Sequence, residues 1–323
     1  MRSFKHIDAR TVDEACSLLR KYKGKSILNA GGTEVLSILK GECLSSYPEA
    51  VINIKTLSDL DYIKEEGGML KIGALTKLSD IVKSPLLKSR CKALVEAAHS
   101  VATPQIRNMA TLGGNLCQDV RCWYYRYPFQ IGGRIECLRK GGKLCNALTG
   151  DHRYHSIFGA ANRCLAVNPS DTAPALVALN AKTKTTKRRV DAQDFFAASA
   201  TAPTILDPDE LLAEIQIPRP PAKARQSYLK FTLRDPIDFA IVSVASVITV
   251  ESGTCTDARI VLGAVAPTPV RASKAEEMIK GKPIDQNAAA EAAEQAVADA
   301  TPLDMNAYKV EIAKSLVKRA ILD

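Results

Sequence analysis

A proline-rich segment, PRPPAKA at residues 218–224, divides the sequence into two parts. Proline lacks a backbone N–H and fixes φ, so neither a helix nor a central strand continues through so many prolines in a short stretch. A chain of 323 residues is also longer than one hydrophobic core normally serves. The segment therefore predicts a linker between a unit at 1–217 and a smaller unit at 225–323.

Both units mix short strands with helices. Residues 11–22 have the apolar spacing of a helix, and Thr11 and Glu14 have the spacing of a capping box at its start. Further predicted elements are strands at 27–28, 51–55 and 211–217, one helix at 86–99, and, after the linker, three long strands followed by helices at 287–300 and 308–322. The predicted fold class is α+β in both units.

Composition narrows the function classes. The formal net charge is +9, but many basic residues lie in KTKTTKRRV at 182–190, whose alternation favours a solvated strand or hairpin over nucleic-acid binding. No apolar run reaches 18 residues and no N-terminal signal is evident, so we expect no membrane span and a cytoplasmic protein. Nine cysteines in such a chain argue against a disulfide framework and leave core thiols, metal ligands or redox chemistry.

Two turns carry paired glycines: AGGTEV at 30–35, directly after a strand, and TLGGN at 111–115. Paired glycines let backbone N–H groups approach an anion closely, and Thr33 and Asn115 can add side-chain hydrogen bonds. Neither turn has the spacing of a P-loop or of a dinucleotide-binding GxGxxG. Each turn alone is more typical of an ordinary tight turn than of a phosphate site, so phosphate binding is the second of two interpretations.

Four of the nine cysteines, Cys117, Cys122, Cys137 and Cys145, follow the second turn within 29 residues. Their spacing is not the C-x-x-C of a zinc ribbon. Cys16, Cys43, Cys91 and Cys255 stand alone and are expected to be small core residues.

Five motifs, in this order, resemble one family: SILNAGGTEV, VATPQIRNMATLGGNLCQ, NPSDTAPALVAL, DELLAEIQIP and YLKFTLRDPIDFAIVSVA. The family is the FAD-binding medium subunit of the molybdenum hydroxylases, the xanthine dehydrogenase and carbon monoxide dehydrogenase group. The resemblance covers essentially all of the chain. It implies a two-subdomain, PCMH-like FAD-binding fold, with subdomains at about 1–55 and 56–217, and a C-terminal α+β domain of the CO dehydrogenase flavoprotein type at 225–323.

The resemblance also implies which residues contact FAD, and it assigns no catalytic residue to the chain. The pyrophosphate would be cradled by Leu28, Asn29, Ala30, Gly31, Gly32, Thr33, Glu34 and Val35. The phosphate and ribityl groups would be contacted by Thr111, Gly114 and Asn115, and the adenosine or ribityl part by Ser170 and Asp171. The flavin would be flanked by Val101 and Ala102, with Lys230 by the isoalloxazine ring, and Leu212 would line the adenine side. Two alternatives stay open: Asp171 as a helix cap and Lys230 as a surface strand residue.

An insertion at about 117–163 is similar to that of the β subunit of 4-hydroxybenzoyl-CoA reductase. The resemblance implies a 4Fe–4S cluster held by Cys122, Cys137, Cys145 and Cys164, because a cubane needs four soft thiolates. A zinc site and four reduced thiols remain alternatives. The last interval is long, so His155 and Cys117 are reserve ligands, although Cys117 suits packing on the flavin side better.

The resemblance implies an electron-transfer subunit. FAD and the cluster would pass electrons between a large molybdopterin-binding subunit, a small 2Fe–2S subunit and an external donor or acceptor, in a dimer of heterotrimers. The substrate is left open between a 4-hydroxybenzoyl-CoA reductase type and an aldehyde or N-heterocycle dehydrogenase, since related inserts occur there too. Two other hypotheses are a free-standing flavin oxidoreductase and a non-enzymatic metal-binding module. Against the first, the sequence has no nicotinamide-binding fingerprint; the second would give the glycine turns no function.

Overall fold

The structure, a computed structural model, describes residues 1–127, 133–235 and 237–323. The predicted insertion at 117–163 therefore includes residues 128–132, which lie outside the described part. Each of three sheets is formed from one region of the chain, and they are introduced below in chain order.

The first sheet is small and parallel. Its region consists of β1 (Lys5–Asp8), α1 (Val12–Tyr22), β2 (Ser26–Asn29), α2 (Val35–Gly41) and β3 (Ala50–Asn53). The strand order is β1-β3-β2, with both pairs parallel. Helix α1 begins as predicted: the Thr11 hydroxyl accepts the N–H of Glu14, and the Glu14 carboxylate accepts the N–H of Arg10. Parallel strands place their carboxyl ends at one edge, so the turn after β2 lies beside the end of β3.

The second sheet is antiparallel, with strand order β4-β5-β8-β6-β7. Its region contains β4 (Ile63–Glu66), β5 (Met69–Gly73), α3 (Leu78–Lys83), α4 (Pro85–Arg90), α5 (Lys92–His99), α6 (Pro104–Arg107), α7 (Leu112–Leu116), α8 (Trp123–Arg126), α9 (Thr172–Ala178), β6 (Lys182–Thr185), β7 (Arg189–Asp191) and β8 (Leu212–Pro218). The basic stretch at 182–190 forms the predicted hairpin of β6 and β7, and nearby carboxylates pair with its charges, as in Lys187 with Asp209.

The insertion has little regular structure in its described part. Between α7 and α9 it contains only α8 and one turn of 3₁₀ helix at Leu138–Lys140. Its own core is small and includes Cys137, Cys164, Val120 and Tyr125. Thiols therefore form a large part of this small core, and ion pairs such as Arg139 with Asp119 at 2.8 Å also hold the segment.

The third sheet belongs to the C-terminal region, which contains β9 (Ala224–Phe231), β10 (Val242–Glu251), β11 (Thr254–Gly263), β12 (Val270–Arg271), α10 (Ser273–Ile279), α11 (Gln286–Ala296) and α12 (Tyr308–Leu322). The order is β12-β11-β10-β9, all antiparallel. Nearly every residue of β10 is buried, because one face of the sheet packs on α5 and α9 and the other on α10 and α12. The sheet is therefore covered on both faces.

Some predicted elements differ in the structure. The helix expected at 86–99 is two helices, α4 and α5, which meet at Cys91, where the backbone leaves the helical region (φ −132°, ψ 55°). Ala166 and Val167, directly before the NPSD turn, predict a strand but form no regular element, and α10 and β12 were not predicted. Within the described residues, no helix is both long and apolar enough to cross a membrane.

Candidate functional site

The first glycine turn connects β2 to α2 and is pressed against the backbone that precedes the second turn. A Cβ on Gly31 would clash with the carbonyl oxygen of Met109. Gly32 has φ +77°, a backbone conformation that residues other than glycine rarely adopt. Within the described part of the chain, the N–H groups of Gly31, Gly32 and Thr33 have no hydrogen-bond acceptor. Three adjacent free N–H groups form a concave site suited to an anion.

The second glycine turn forms the start of α7. The Thr111 hydroxyl accepts the N–H of Gly114 at 3.1 Å, so Thr111 caps the helix. Asn115 is buried, and its Oδ1 accepts hydrogen bonds from the hydroxyls of Ser170 and Thr172, each at 2.7 Å. These bonds fix the amide with its NH₂ group free to bind a ligand, since no described residue accepts from it.

Two neighbouring cavities meet at these turns. The first, here called the cradle cavity, has a volume of about 420 Å³ and is lined by Leu28, Ala30, Gly31, Gly32, Thr33, Glu34, Val35, Thr111, Gly114 and Leu212, together with Cys117. The second, the lysine cavity, has about 240 Å³ and is lined by Val101, Ala102, Asn115, Asp171 and Lys230. Thr33, Glu34 and Gly114 line both. Nearly all of the predicted FAD contacts are thus brought to one continuous groove.

Two predicted contact residues lie behind the groove. Asn29 does not line either cavity; its Nδ2 donates to Oδ1 of Asn53 on the neighbouring strand at 3.2 Å. Ser170 also lines neither cavity; its hydroxyl donates to Asn115, and it accepts the N–H of Ala173 at the start of α9. Both residues position the wall of the groove from outside it.

Asp171 and Lys230 form a buried ion pair. The Lys230 ammonium donates to the Asp171 carboxylate at 2.8 Å and to the carbonyl of Ser100 at 3.0 Å, and the two side chains are 8 % and 5 % exposed. Tyr228 donates its hydroxyl to the other carboxylate oxygen at 2.7 Å. Burial raises the pKa of Asp171, and the neighbouring ammonium partly offsets this.

The two alternatives left open for these residues are wrong. The Asp171 side chain does not cap α9, since its oxygens bind Lys230 and Tyr228. Lys230 is not a surface residue, because β9 directs it into the ion pair. The positive charge of Lys230 is consequently shared with a carboxylate, which sequence reasoning did not anticipate.

Arg107 holds the backbone that borders the lysine cavity. Its guanidinium donates to the carbonyls of Val101 at 2.8 Å and Ala102 at 3.1 Å. Ala102 has φ +43°, a left-handed conformation that these bonds stabilise. Arg107 was not among the predicted site residues, although it lies within the TPQIRN motif.

The insertion contacts the first glycine turn through Glu34. Arg121 pairs with its carboxylate at 2.6 Å and Arg126 at 2.5 Å, and the Glu34 side chain is 17 % exposed. Glu34 also accepts the N–H of Asp119. Glu34 therefore ties the groove to the insertion, a role that its position in AGGTEV did not indicate.

The four cysteines predicted as metal ligands lie together. One small cavity, here called the thiol cavity, is lined by Cys122, Cys137, Cys145 and Cys164 together with Tyr124, Tyr125 and Leu138. The thiols of Cys145 and Cys164 are within hydrogen-bond reach, which lowers the pKa of Cys145 and raises that of Cys164. Among the residues that the structure describes, no three Cys, His, Asp or Glu side chains converge on a point as ligands of a single metal ion.

The reserve ligands lie apart from one another. His155 is buried and contacts Cys122, with 3.2 Å between Nε2 and Sγ, and burial lowers the pKa of this histidine to about 4. Cys117 lines the cradle cavity instead of the thiol cavity. Cys16, Cys43, Cys91 and Cys255 are buried, as expected of core residues.

Comparison with known families and proteins decides what this groove is. Residues 2–220 match the model of the FAD binding domain in molybdopterin dehydrogenase, and residues 227–323 match the CO dehydrogenase flavoprotein C-terminal domain. The chain belongs to the FAD-binding subunits of the molybdopterin dehydrogenases. It is an oxidoreductase subunit with an FAD-binding domain followed by a flavoprotein C-terminal domain, as predicted.

The relatives of this FAD-binding subunit match it almost from end to end. It is 31 % identical to the aldehyde oxidoreductase FAD-binding subunit PaoB of Escherichia coli, over 97 % of this chain and 96 % of that one. It is 29 % identical to the carbon monoxide dehydrogenase medium chain of Hydrogenophaga pseudoflava, over 98 % and 96 %. A solved structure of the H. pseudoflava enzyme superposes with a TM-score of 0.78, at 28 % identity, over 99 % of this chain and 96 % of that one.

The groove of the subunit fits FAD. The free N–H groups of the first turn can bind a diphosphate, and a side chain on Gly31 would not fit between the two turns. The cavities on either side extend the site in two directions, as an elongated dinucleotide requires. Their combined size is in the range that cofactor sites occupy.

Proposed function

We propose that the FAD lies along the groove with its adenine half in the cradle cavity and its isoalloxazine ring in the lysine cavity. The main support is the set of free N–H groups at Gly31, Gly32 and Thr33, which line the cradle cavity up to Thr33, where it meets the lysine cavity. We also propose that the chain consists of an FAD-binding unit at 1–217, with subdomains at about 1–55 and 56–217, and a C-terminal unit at 225–323. The bound flavin supplies one- and two-electron chemistry, and the chain positions it and shields it from water.

We further infer that the thiol cavity holds a 4Fe–4S cluster. What supports this is the ligand set: four cysteines line one cavity, and a cubane takes one thiolate for each of its four irons. The buried Lys140 ammonium lies near Cys137, and among the residues that the structure describes it donates to the carbonyls of Tyr124 and Tyr127 and pairs with no carboxylate. An unpaired cation there offsets the negative charge of a thiolate-ligated cluster.

Together these centres make the chain an electron-transfer subunit. It would pass electrons between a large molybdopterin-binding subunit, a small 2Fe–2S subunit and an external donor or acceptor, within a dimer of heterotrimers. The names of its relatives, "subunit" and "medium chain", support a multi-subunit assembly. The isolated chain is expected to turn over no organic substrate by itself.

Two substrate types remain for the complex. The 31 % identity to an aldehyde oxidoreductase subunit favours the oxidation of aldehydes. The resemblance of the insertion to 4-hydroxybenzoyl-CoA reductase favours reductive dehydroxylation of an aromatic acyl-CoA. Assay of the purified complex with an aromatic aldehyde and with 4-hydroxybenzoyl-CoA distinguishes the two.

The cluster is tested by metal and sulfide analysis of the full chain. We expect about four iron and four sulfide per chain for a single 4Fe–4S centre. Cys145→Ser should lose the iron, whereas Cys117→Ser, on the other side of the insertion in the cradle cavity, should retain it. One equivalent of zinc without iron, or full iron content in Cys145→Ser, would contradict the assignment.

A further inference from the structure

A third cavity lies between the lysine cavity and the thiol cavity. We call it the aromatic cavity, since Trp123, Tyr154 and Phe239 line it; its volume is about 440 Å³. The indole of Trp123 packs against the ring of Tyr154 with 5.4 Å between centroids. Val167, Ala240 and Ile241 complete an otherwise mostly apolar wall. A site of this size and lining accepts a flat, apolar molecule of a few rings.

The position of the aromatic cavity connects both proposed redox centres. It shares Phe239, Asp238, Pro169 and Arg121 with the lysine cavity. On its other side it is lined by Cys122, which also lines the thiol cavity. A molecule bound here would touch the walls of both centres.

The charges in the wall are already paired. Arg121 binds Glu34 and lies over the ring of Phe239, with 4.6 Å from its guanidinium carbon to the ring centroid. Arg234 binds Asp238 at 2.6 Å. These are the cations among the described residues that line the cavity, so a diphosphate has no free cation to bind there. The lining therefore selects an uncharged molecule over a nicotinamide dinucleotide.

We propose that the aromatic cavity binds a neutral quinone that serves as the electron acceptor of the complex. This rests on the proposed electron-transfer function. The quinone takes two electrons, which come from the organic substrate oxidised at the molybdopterin-binding subunit, and two protons from water, and it leaves as the hydroquinone. Adjacent walls bring it within contact distance of the groove that holds the flavin.

Trp123 permits a direct test, because it is the only tryptophan in the chain. The full chain, loaded with FAD, is titrated with 1,4-naphthoquinone while tryptophan fluorescence is recorded. We expect saturable quenching, and no saturable quenching by NADH at the same concentrations. Val167→Phe and Ala240→Leu, which fill the cavity from two sides, should each weaken quinone binding at least tenfold.

The matched control is Val190→Phe, a half-buried valine on β7 that lines none of these cavities. It should leave quinone binding unchanged, and flavin absorbance confirms that each variant still holds FAD. Quenching that rises linearly without saturation, or quinone binding that is as tight in both filled variants as in the natural protein, would overturn the proposal. Quenching that is seen only in chain without FAD would also overturn the proposal, because the flavin ring itself would then occupy the aromatic cavity. A chain that binds no FAD, but whose Trp123 is quenched saturably, would instead refute the proposed function.

Discussion

Lys309 offers a test of how the C-terminal domain holds the insertion. This residue of α12 is fully buried, and its ammonium donates to the carbonyls of Ala264 at 2.7 Å and His155 at 3.0 Å. No carboxylate pairs with it among the residues that the structure describes. Burial lowers the pKa of Lys309 from 10.5 to about 7. The charged form is therefore disfavoured by about 5 kcal/mol, at about 1.4 kcal/mol for each pKa unit.

The pH dependence of stability follows from this pKa. The unfolded chain keeps the lysine proton up to about pH 10.5, whereas the folded chain releases it near pH 7. Between these values the unfolded state binds more protons, so the free energy of unfolding rises with pH. From pH 7 to pH 9 the contribution of Lys309 amounts to about 2 kcal/mol.

The assay is urea unfolding of the full chain at pH 7, 8 and 9, in the natural protein and in Lys309→Met. We expect the natural protein to gain about 2 kcal/mol more than the variant over this range. Lys314→Met, on the same helix but with a more exposed side chain that pairs with Glu294 and Glu311, should keep the natural slope. Equal slopes in the natural protein and Lys309→Met would refute the argument.

Three further predictions concern the groove. Gly31→Val should abolish FAD binding, measured by flavin absorbance after purification, because its side chain would strike the Met109 carbonyl. The control is Gly24→Val, where φ is +80° but a Cβ has no atom within 4 Å; its FAD content should be unchanged. Lys230→Met should lower the free energy of unfolding in urea by about 3–5 kcal/mol, because it leaves Asp171 buried without a cation. Adding Asp171→Asn should restore part of this loss; if the losses of the two single variants simply added in the double variant, the ion pair would be contradicted. Glu34→Gln should weaken FAD binding by on the order of tenfold and increase proteolysis of the insertion. The reason is the loss of the charged hydrogen bonds to Arg121 and Arg126, which contribute about 1.5–3 kcal/mol each. Unchanged proteolysis would show that Glu34 does not hold the insertion.

Local signals predicted local features well. The Thr11 cap and the hairpin at 182–190 form where the sequence indicated, since the groups that define them are a few residues apart. The break at Cys91 was missed because the apolar spacing continues across it; in the structure Cys91 is buried between the end of α4 and the start of α5.

Long-range pairing was the part that the sequence could not predict. Glu34 meets Arg121 across 87 positions, and Asp171 meets Lys230 across 59. Each of these residues has several possible partners in the sequence, and only the assembled sheets select one. The glycine turns could be recognised because their backbone requirements are local, whereas the charges around them could not be paired in advance.

The strand order of the second sheet affects how the protein is made. β8 pairs with both β5 and β6, and the whole insertion lies between β5 and β6 in the chain. During synthesis the sheet cannot close until residue 218 has left the ribosome, by which time all four cysteines of the thiol cavity have already emerged. Contacts that distant in sequence form slowly. The nascent chain therefore passes through an interval in which these thiols are exposed to solvent, before the flavin domain folds around them, and the proposed 4Fe–4S cluster would be inserted in that interval.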